Sequence, residues 1–462
     1  MKIGFICLNL PGHLNPMTAL ARQLQTRGHE VVFLYQSSAN GLPCIPADER
    51  DEVNATRPAV SKLAGWEALK FYCGIIAKGT EKILESLPQM VERAGIDALV
   101  LDPYQFFAEL GAMKLGLPYV SVAVAFYLDY SGYTPFGVGL TDGDRRRLIR
   151  TSRLLDAYGL PNETTPEAFA RNRKGVAEFA RVIYTERTKA YAKEAGIELD
   201  WDAPTGLFSK LAYITQVPKE FDFENPLLPP QFHHTGPFSD ANARPKIDFP
   251  WERLTGQPLI YASMGTILNG QVDVFRAIAA GVAKHKDTQL VLSIGDQVDP
   301  KDIGTVPDNA IIVKKAPQVD VLKRASVCIT HCGLNTVLES LACGVPQVAF
   351  PVTFDQPNIA IRIAAKKTGV STEFEKLTPD HLSTLLDEVL NNSVYRENAR
   401  KLQDVIAKTN GLRKAGDIIE RAFGASTGAP NDPDLIRRLE KSESRSMEST
   451  TCVLPMDPSC HA

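Results

Sequence analysis

One histidine and one aspartate directly follow two predicted strands, where they could carry out acid–base chemistry. His13 comes after the first predicted strand, and Asp102 ends the predicted strand Ala98–Leu101. A neutral imidazole is suited to taking a proton from a hydroxyl near pH 7, and a neighbouring carboxylate would fix its tautomer. Asp97 at the opposite end of that strand is predicted to be structural, and Asp129 is a weaker rival of Asp102. A histidine at a strand–helix junction can also serve in capping or packing, so these residues alone leave both interpretations open.

A second set of polar residues occupies the loop 330–336, between a predicted strand and a predicted helix. Gly333 would let backbone amides approach a ligand, and Asn335 or Thr336 could cap the helix with a side-chain oxygen. Free amides and the helix dipole together favour an anion such as a diphosphate, to which His331 would add a third donor. The simpler alternative is an ordinary helix cap beside a satisfied strand-end histidine.

Two further positions could bind sugar hydroxyls. Glu339 lies one helical turn beyond Asn335, where its carboxylate could accept hydrogen bonds from both hydroxyls of a ribose. Asp355 and Gln356 follow the next predicted strand. Together, a carboxylate that accepts and a carboxamide that accepts and donates could bind several hydroxyls. Each position is weak evidence by itself, but their order on consecutive strand ends favours one extended binding site.

Short β-rich runs and amphipathic helical patterns alternate along both halves of the chain. The predicted strands cover residues 3–8, 30–35, 98–101, 119–124 and 211–216 in the first half, and 259–264, 289–294, 310–314, 327–331 and 347–351 in the second. This alternation is typical of α/β domains whose parallel sheets are covered on both faces. Two such domains would bind ligands in the crevice between the carboxyl edges of their sheets.

The predicted domains are residues 1–238 and 258–408, joined by the polar, aperiodic linker 239–257. A helix within 409–424 is expected to pack back on the N-terminal domain, and the polar tail 425–462 is predicted to be disordered. The first helix is predicted near residues 17–27, with Gly12 allowing an unusual backbone conformation in the loop before it.

Composition narrows the function classes. The 462 residues are 44% hydrophobic and 23% charged with a net charge of −3, which offers no basic surplus for a nucleic-acid partner. The sequence contains no recognisable signal peptide, no apolar run long enough for a membrane span and no Cys-x-x-Cys pair. We therefore expect a cytoplasmic monomer. The Asp-x-Asp triplets at 142–144, 200–202 and 432–434 do not end strong strands, so no metal site is predicted.

The segment 316–356 resembles the donor-binding signature of the family 1 glycosyltransferases, which are inverting enzymes of the GT-B fold using UDP- or dTDP-sugars. The resemblance rests on Ala316-Pro317-Gln318, His331-Cys332-Gly333-Leu334-Asn335-Thr336, Glu339, Gly344-Val345-Pro346, Pro351 and Asp355-Gln356. It implies an α/β chain of the GT-B fold, with two Rossmann-like doubly wound domains facing a central cleft.

The resemblance also implies a role for each matching residue. Gln318 would contact the nucleoside and Glu339 the ribose, while Asp355 and Gln356 would hold the sugar. The diphosphate would be bound by the 331–336 loop and by a second loop after the strand near residue 261, through the residues His331, Gly333, Leu334, Asn335, Thr336, Ser263, Gly265 and Thr266. Similar enzymes use the residue at His13 as the general base and the residue at Asp102 as its partner.

Two positions depart from the plant pattern. Lys315 stands where plant members carry a base-stacking tryptophan, which leaves the choice between UDP and dTDP open, and Leu334 replaces another plant tryptophan. Both differences favour a bacterial enzyme. Gln356 is typical of members that use a glucose donor.

The implied reaction is a single displacement without metal or cofactor, giving a β-glycoside from an α-linked donor. Aromatic residues could line a pocket for a hydrophobic phenolic, polyketide or terpenoid acceptor, although at least half of them are expected to pack the core: Tyr104, Phe106, Phe107, Phe126, Tyr127, Tyr130, Tyr133 and Phe136. The alternatives are another GT-B enzyme such as a UDP-sugar epimerase, and a nucleotide-sugar-binding regulator without turnover. A dehydrogenase is disfavoured because no Gly-x-Gly-x-x-Gly follows a strand.

Overall fold

The structure, a computed structural model, describes residues 1–46, 55–126, 185–199, 207–223, 228–240, 244, 246–267, 269–304 and 306–426. Several predictions fall on other positions and lie outside the described residues. These concern Asp129, the aromatic residues Tyr127, Tyr130, Tyr133 and Phe136, the three Asp-x-Asp triplets at 142–144, 200–202 and 432–434, and the tail from residue 427 onward.

The described part of the N-terminal half forms a parallel sheet of seven strands. They are β1 (Lys2–Ile6), β2 (Glu30–Leu34), β3 (Cys44–Ile45), β4 (Ala98–Leu101), β5 (Tyr119–Ala123), β6 (Tyr213–Thr215) and β7 (Phe232–His234), in the order β3-β2-β1-β4-β5-β6-β7. Successive residues of β4 face two different cores: Ala98 and Val100 join one, while Leu99 and Leu101 join the other. Both faces are therefore covered, as in doubly wound folds.

The C-terminal half repeats this architecture with six described strands. They are β8 (Leu259–Ser263), β9 (Gln289–Ser293), β10 (Ala310–Val313), β11 (Ala325–Thr330), β12 (Gln347–Ala349) and β13 (Gly369–Ser371), all parallel and ordered β10-β9-β8-β11-β12-β13. The strand order reverses beside β8 and β11. Ligands bind at such a topological switch point in open α/β sheets, outside the carboxyl ends of the strands.

Twelve helices appear among the described residues. They are α1 (Pro11–Gln25), α2 (Arg57–Val60), α3 (Gly65–Ala94), α4 (Ala108–Leu115), α5 (Glu186–Glu194), α6 (Val272–Val282), α7 (Gln318–Leu322), α8 (Leu334–Ala342), α9 (Gln356–Ala365), α10 (Pro379–Asn391), α11 (Ser393–Lys408) and α12 (Gly411–Ser426). The α/β class and its two parallel sheets are thus confirmed, whereas the domain boundaries stay predictions.

The first helix begins earlier than its apolar pattern indicates. Helix α1 starts at Pro11 rather than near residue 17, because a proline at the first helical position already has the required φ and lacks an amide that would be unpaired there. Gly12 consequently lies in the first turn, and it is absent from the glycines with positive φ. The prediction of an unusual backbone at Gly12 is therefore wrong.

The C-terminal helix α12 packs on the N-terminal sheet. Its apolar residues, among them Ile419 and Phe423, belong to the same core as α1 and β1. Arg27, just after α1, forms ion pairs with Asp417 at 2.8 Å and Glu420 at 2.7 Å. The chain thus crosses back to its first half before it ends.

A buried ion pair joins the two halves of the molecule. Arg362 of α9 donates from Nε to Asp222 at 2.8 Å, and both side chains are 1% exposed. The guanidinium also lies 4.1 Å from the centroid of the Phe126 ring and 4.6 Å from that of Phe223. Removing the guanidinium would take from the buried Asp222 carboxylate its closest described cation, since His234 Nε2 lies farther away at 3.7 Å.

We predict that Arg362→Met destabilises the protein by about 3–5 kcal/mol, because Asp222 would then be buried without its counter-ion. Chemical denaturation with parallel fluorescence and circular dichroism measures the free energy of unfolding. Arg276→Met is the matched control, since Arg276 is exposed and pairs with Asp273 on the surface, where about 0–1 kcal/mol is expected. Equal losses for the two variants would contradict the role of the buried pair.

Candidate functional site

The two sheets turn their carboxyl ends toward one cavity of about 1570 Å³. One wall comes from the β1–α1 junction and the segment after β4, and the opposite wall comes from the loops after β8, β11 and β12. Pockets for one small ligand usually enclose about 300–1,000 Å³. This cavity has room for two substrates side by side.

The histidine and aspartate predicted as an acid–base pair are in direct contact. His13 Nδ1 lies 2.6 Å from Asp102 Oδ2, and the Asp102 side chain is fully buried. The Tyr104 amide donates to the other carboxyl oxygen at 3.1 Å, and the Tyr104 ring packs edge-on against the imidazole. With Nδ1–H donating to Asp102, Nε2 is free to accept a proton in the cavity. Asp97 instead binds the backbone amide of Lys2 at the far edge of the sheet.

Asn335 bridges the two domains instead of capping its helix. Its Nδ2 donates to the Gly12 carbonyl at 2.6 Å, and its Oδ1 accepts from Gln216 Nε2 at 2.8 Å. The N-cap of α8 is Gly333, with no side-chain capping bond, so the predicted cap at Asn335 or Thr336 is wrong. The Gly12 carbonyl can receive this bond because Pro16, four residues on in α1, has no amide proton to donate to it.

His331 packs tightly between two glycines. A Cβ added at Gly265 would lie 2.4 Å from the imidazole, and one added at Gly333 would lie 2.7 Å from it. Desolvation lowers the pKa of His331 to about 4, so the ring is neutral near pH 7. Its Nδ1 is buried and meets the geometry of a hydrogen bond with no described residue, although the Ser263 backbone lies close enough to oppose part of this pKa shift. The ring can therefore offer an N–H donor to an anion without carrying charge.

The predicted nucleoside and ribose contacts form one hydrogen-bonded chain. Tyr261 donates to Gln318 Oε1 at 2.8 Å, while Gln318 Nε2 donates to Glu339 at 2.7 Å and to Thr336 at 3.3 Å. Both carboxyl oxygens of Glu339 also accept from the guanidinium of Arg244, which comes from the predicted linker. A ribose that binds Glu339 would therefore meet a carboxylate already paired with Arg244.

Asp355 and Gln356 have different environments although they are adjacent. Asp355 accepts from the Phe126 amide at 2.8 Å across the domain interface, and burial raises the pKa of its carboxyl to about 6. Gln356 is buried, and its Oε1 accepts from the amides of Val352 and Thr353. The carboxamide oxygen of Gln356 thus holds its own loop, which leaves the amide nitrogen for any contact with a sugar.

Of the other residues predicted to bind the sugar donor, some line the cavity and one is mainly buried in the core. Ser263, Gly265 and Thr266 line the cavity, and the Gly265 amide donates to Ser263 Oγ at 3.3 Å. Leu334 reaches the cavity but is 3% exposed and packs in an apolar cluster of both domains, so its part in the site is chiefly structural. Lys315 is among the residues that line the cavity and pairs with Asp296 at 2.8 Å. A charged side chain therefore occupies the position at which the plant pattern has a base-stacking tryptophan.

Two residues of the site were missed in the sequence. Gln216 follows β6, so the strand-end rule that identified His13 would also have found it. Arg244 lies in a polar stretch without period, and no sequence signal pointed to it. The buried aromatic residues Tyr104, Phe106, Phe107 and Phe126 support the expectation that many of these side chains pack the core, although the first three also line the cavity.

The described residues include no group of three histidine, cysteine or acidic side chains arranged to bind a metal ion. Among the helices given above, none has the length and apolar character needed to cross a membrane.

Solved structures with the same architecture define the class. The glycosyltransferase of kitacinnamycin superposes with a TM-score of 0.67 at 22% identity, covering 91% of this chain and 98% of that chain. The calicheamicin glycosyltransferase CalG4 gives a TM-score of 0.64 at 21% identity over 92% of this chain and 98% of that one. The fold is that of the GT-B glycosyltransferases.

Sequence relatives identify the family within this class. Residues 203–409 match the family described as UDP-glucoronosyl and UDP-glucosyl transferase. The uncharacterized UDP-glucosyltransferase YdhE of Bacillus subtilis is 33% identical over 426 residues, 90% of this chain and 97% of the relative. Zeaxanthin glucosyltransferase of Pantoea ananas is 27% identical over 439 residues, 90% of this chain and 94% of that protein. The chain belongs to this family, the family 1 glycosyltransferases, and is a glycosyltransferase.

We predict that Gly265→Ala weakens binding of UDP at least about tenfold, because the new methyl group would displace the His331 ring. Isothermal titration with UDP measures the effect. Gly256→Ala is the control: Gly256 has a similar φ of +83° but no atom within 4 Å of an added Cβ, so it carries the backbone strain without the clash. A similar loss of UDP affinity in both variants would show that backbone strain, rather than the contact with His331, causes the loss.

Proposed function

We propose that this glycosyltransferase moves a hexose, expected to be glucose, from a UDP- or dTDP-sugar to a hydroxyl of a hydrophobic small molecule, with inversion at the anomeric carbon. The observation that carries the proposal is the His13–Asp102 pair in the same cavity as His331 and the N-terminus of α8. A base on one wall and an anion-binding loop on the other suit an in-line displacement between them.

The proposed reaction is a single displacement. The acceptor hydroxyl gives its proton to His13 Nε2 while Nδ1–H keeps its bond to Asp102. The hydroxyl oxygen forms a bond to the anomeric carbon as the bond from that carbon to the diphosphate breaks, and the diphosphate leaves with the electron pair. The imidazolium formed in this step is stabilised by the buried Asp102 carboxylate.

The leaving diphosphate would be stabilised by neutral donors. Backbone amides at the N-terminus of α8 supply partial positive charge, and the unpartnered nitrogen of neutral His331 adds a side-chain donor. Such donors are fixed before the reaction and need no rearrangement as charge develops. On the proposed mechanism this set takes the place of a metal ion, and no cofactor beyond the sugar donor is required.

The donor would lie along the Gln318–Glu339 chain. Glu339 can accept from two ribose hydroxyls once Arg244 shares or releases it, and Gln318 can reach the base. Asp355, kept near the sugar by the Phe126 amide, would accept a hexose hydroxyl, and Gln356 would contribute its amide nitrogen. The glucose preference rests on Gln356, and the nucleotide base stays open because Lys315 offers no stacking surface.

The acceptor side of the cavity supports an apolar substrate. Side chains of Tyr72 and Ile76 from α3, together with Tyr104, Phe106 and Phe107, line it next to His13. Relatives are named for zeaxanthin in Pantoea ananas and for demethyllactenocin in Streptomyces fradiae. We extend from these names only the class of acceptor, a hydrophobic small molecule with a reactive hydroxyl. Monomeric state and cytoplasmic location stay predictions of the sequence.

A donor screen tests the proposal directly. The protein is incubated with UDP-glucose, dTDP-glucose, UDP-galactose or UDP-glucuronic acid and a phenolic panel, and conjugates and free nucleotide are quantified by mass spectrometry. Conjugate formed with release of UDP or dTDP, strongest with a glucose donor and of β configuration by NMR, is the expected result. Binding of UDP without any conjugate would instead favour a regulator, and conversion of the donor sugar alone would favour an epimerase.

We predict that His13→Ala lowers kcat about 10²–10⁴-fold while the Kd for UDP changes less than about twofold, because the base contacts the acceptor rather than the donor. Asp102→Asn should lower kcat as well, since the carboxylate no longer fixes the tautomer. Asp97→Asn, at the other end of the same strand, is the matched control and should retain wild-type turnover. Near-wild-type turnover of an aliphatic hydroxyl acceptor by His13→Ala would refute the assignment, whereas an acidic phenol can react slowly without the base.

A further inference from the structure

One buried carboxyl group in the cavity wall has no place in the mechanism above. Glu109 lies in the first turn of α4, seven residues after Asp102, and is one of the residues that line the cavity. The residue is 2% exposed, and its Oε1 is buried without a hydrogen-bond partner among the described residues. It forms no ion pair with a described lysine, arginine or histidine.

The surroundings of Glu109 on the acceptor side are apolar. Tyr72, Cys73 and Ile76 of α3 line the same part of the cavity wall, as do Phe106 and Phe107 immediately before α4. These residues form one hydrophobic cluster in the N-terminal domain. Among these apolar neighbours Glu109 Oε1 has lost its hydrogen bonds to water without gaining one to the protein, so a ligand that supplies a partner would be favoured.

Burial also determines whether the Glu109 carboxyl group is protonated. Desolvation, and to a smaller extent repulsion from the nearby Asp102 carboxylate, raise its pKa to about 8, although a hydrogen bond to the backbone of Glu109 itself opposes part of this shift. Near pH 7 the group is consequently held mainly as the neutral carboxylic acid. In this form it has an O–H to donate and an oxygen that can accept, which is the complement of a ligand hydroxyl, since a hydroxyl also does both.

We propose that Glu109 is a specificity-determining residue for the acceptor and forms a hydrogen bond, as a carboxylic acid, to an acceptor hydroxyl remote from the hydroxyl that is glycosylated. This inference rests on the proposed function and narrows its substrate class. The preferred acceptor is an apolar molecule with at least two hydroxyls, one placed at His13 and one at Glu109. Molecules with a single hydroxyl would leave the buried acid unpaired and bind less tightly.

Binding without the sugar donor separates this inference from the transfer reaction. Equilibrium titration compares 7-hydroxyflavone with the isomers that carry one additional hydroxyl at position 2′, 3′ or 4′. We expect at least one isomer to bind the wild type about tenfold more tightly than 7-hydroxyflavone, the gain of one well-placed hydrogen bond in a dry site. Affinities that agree within about twofold, or no binding of any flavone, would overturn the inference.

Two substitutions at Glu109 sharpen the comparison. Glu109→Leu removes the polar group at similar volume, so the affinity ratio between the favoured isomer and 7-hydroxyflavone should fall to about one. Glu109→Gln keeps a neutral donor and an acceptor and should retain most of the wild-type ratio. If the ligand were instead bound by a negatively charged carboxylate, both variants would lose the preference. Glu92→Gln, on the exposed side of α3, controls for the change in net charge.

Infrared difference spectroscopy reports the group itself and does not depend on the stability of the leucine variant. The spectrum of wild type minus Glu109→Gln at pH 7 should contain the carbonyl stretch of a protonated carboxylic acid, shifted when the favoured isomer binds. Absence of that band, or a band that the ligand leaves unchanged, refutes the inference. Tight, Glu109-dependent binding without conjugate formation would refute the transferase proposal while leaving the role of Glu109 intact.

Discussion

The hydrogen bonds that cross the cleft hold the two walls of the cavity together, because the proposed base His13 and the proposed donor-binding loop 331–336 belong to different halves of the chain. Asn335 of the C-terminal domain binds the carbonyl one residue before His13, and it can do so because Pro16 leaves that carbonyl without its helical partner. Asp355 binds the Phe126 amide in a similar way. A feature that would be a defect in an isolated helix thus provides the contact that ties the residue before His13 to the loop 331–336.

Electrostatics in the cavity depend on which buried groups stay neutral. Asp102 is paired directly with His13, whereas burial raises the pKa of Asp355 and Glu109 and lowers that of His331. Because neutral His331 carries no charge, it needs no counter-ion in its buried position and can still donate a hydrogen bond. On the proposals made above, His331 would bind the diphosphate, Asp355 the sugar and Glu109 the acceptor, and buried ionisable groups with shifted pKa values are typical of active sites.

Much of the fold could be predicted because most strands are short apolar runs that alternate with amphipathic helical patterns. The carboxyl-edge rule then brought together His13, Asp102 and the 331–336 loop. Contacts across the cleft could not be predicted, because they depend on the relative position of two sheets that no local pattern encodes. Gln356 shows the same limit: its type indicated a sugar contact, yet its oxygen binds two amides of its own loop. The short strand β13 and helix α7 carried too few residues to give a periodic signal.

The position of α12 has a consequence for synthesis on the ribosome. Ile419 and Phe423 fill the core around β1, so the first domain to emerge cannot complete its interior until almost the entire described chain has been translated. The second domain, in contrast, holds its whole sheet within a contiguous stretch of sequence. The nascent N-terminal half must therefore remain soluble with an apolar face uncovered for the time that the ribosome takes to add the second domain.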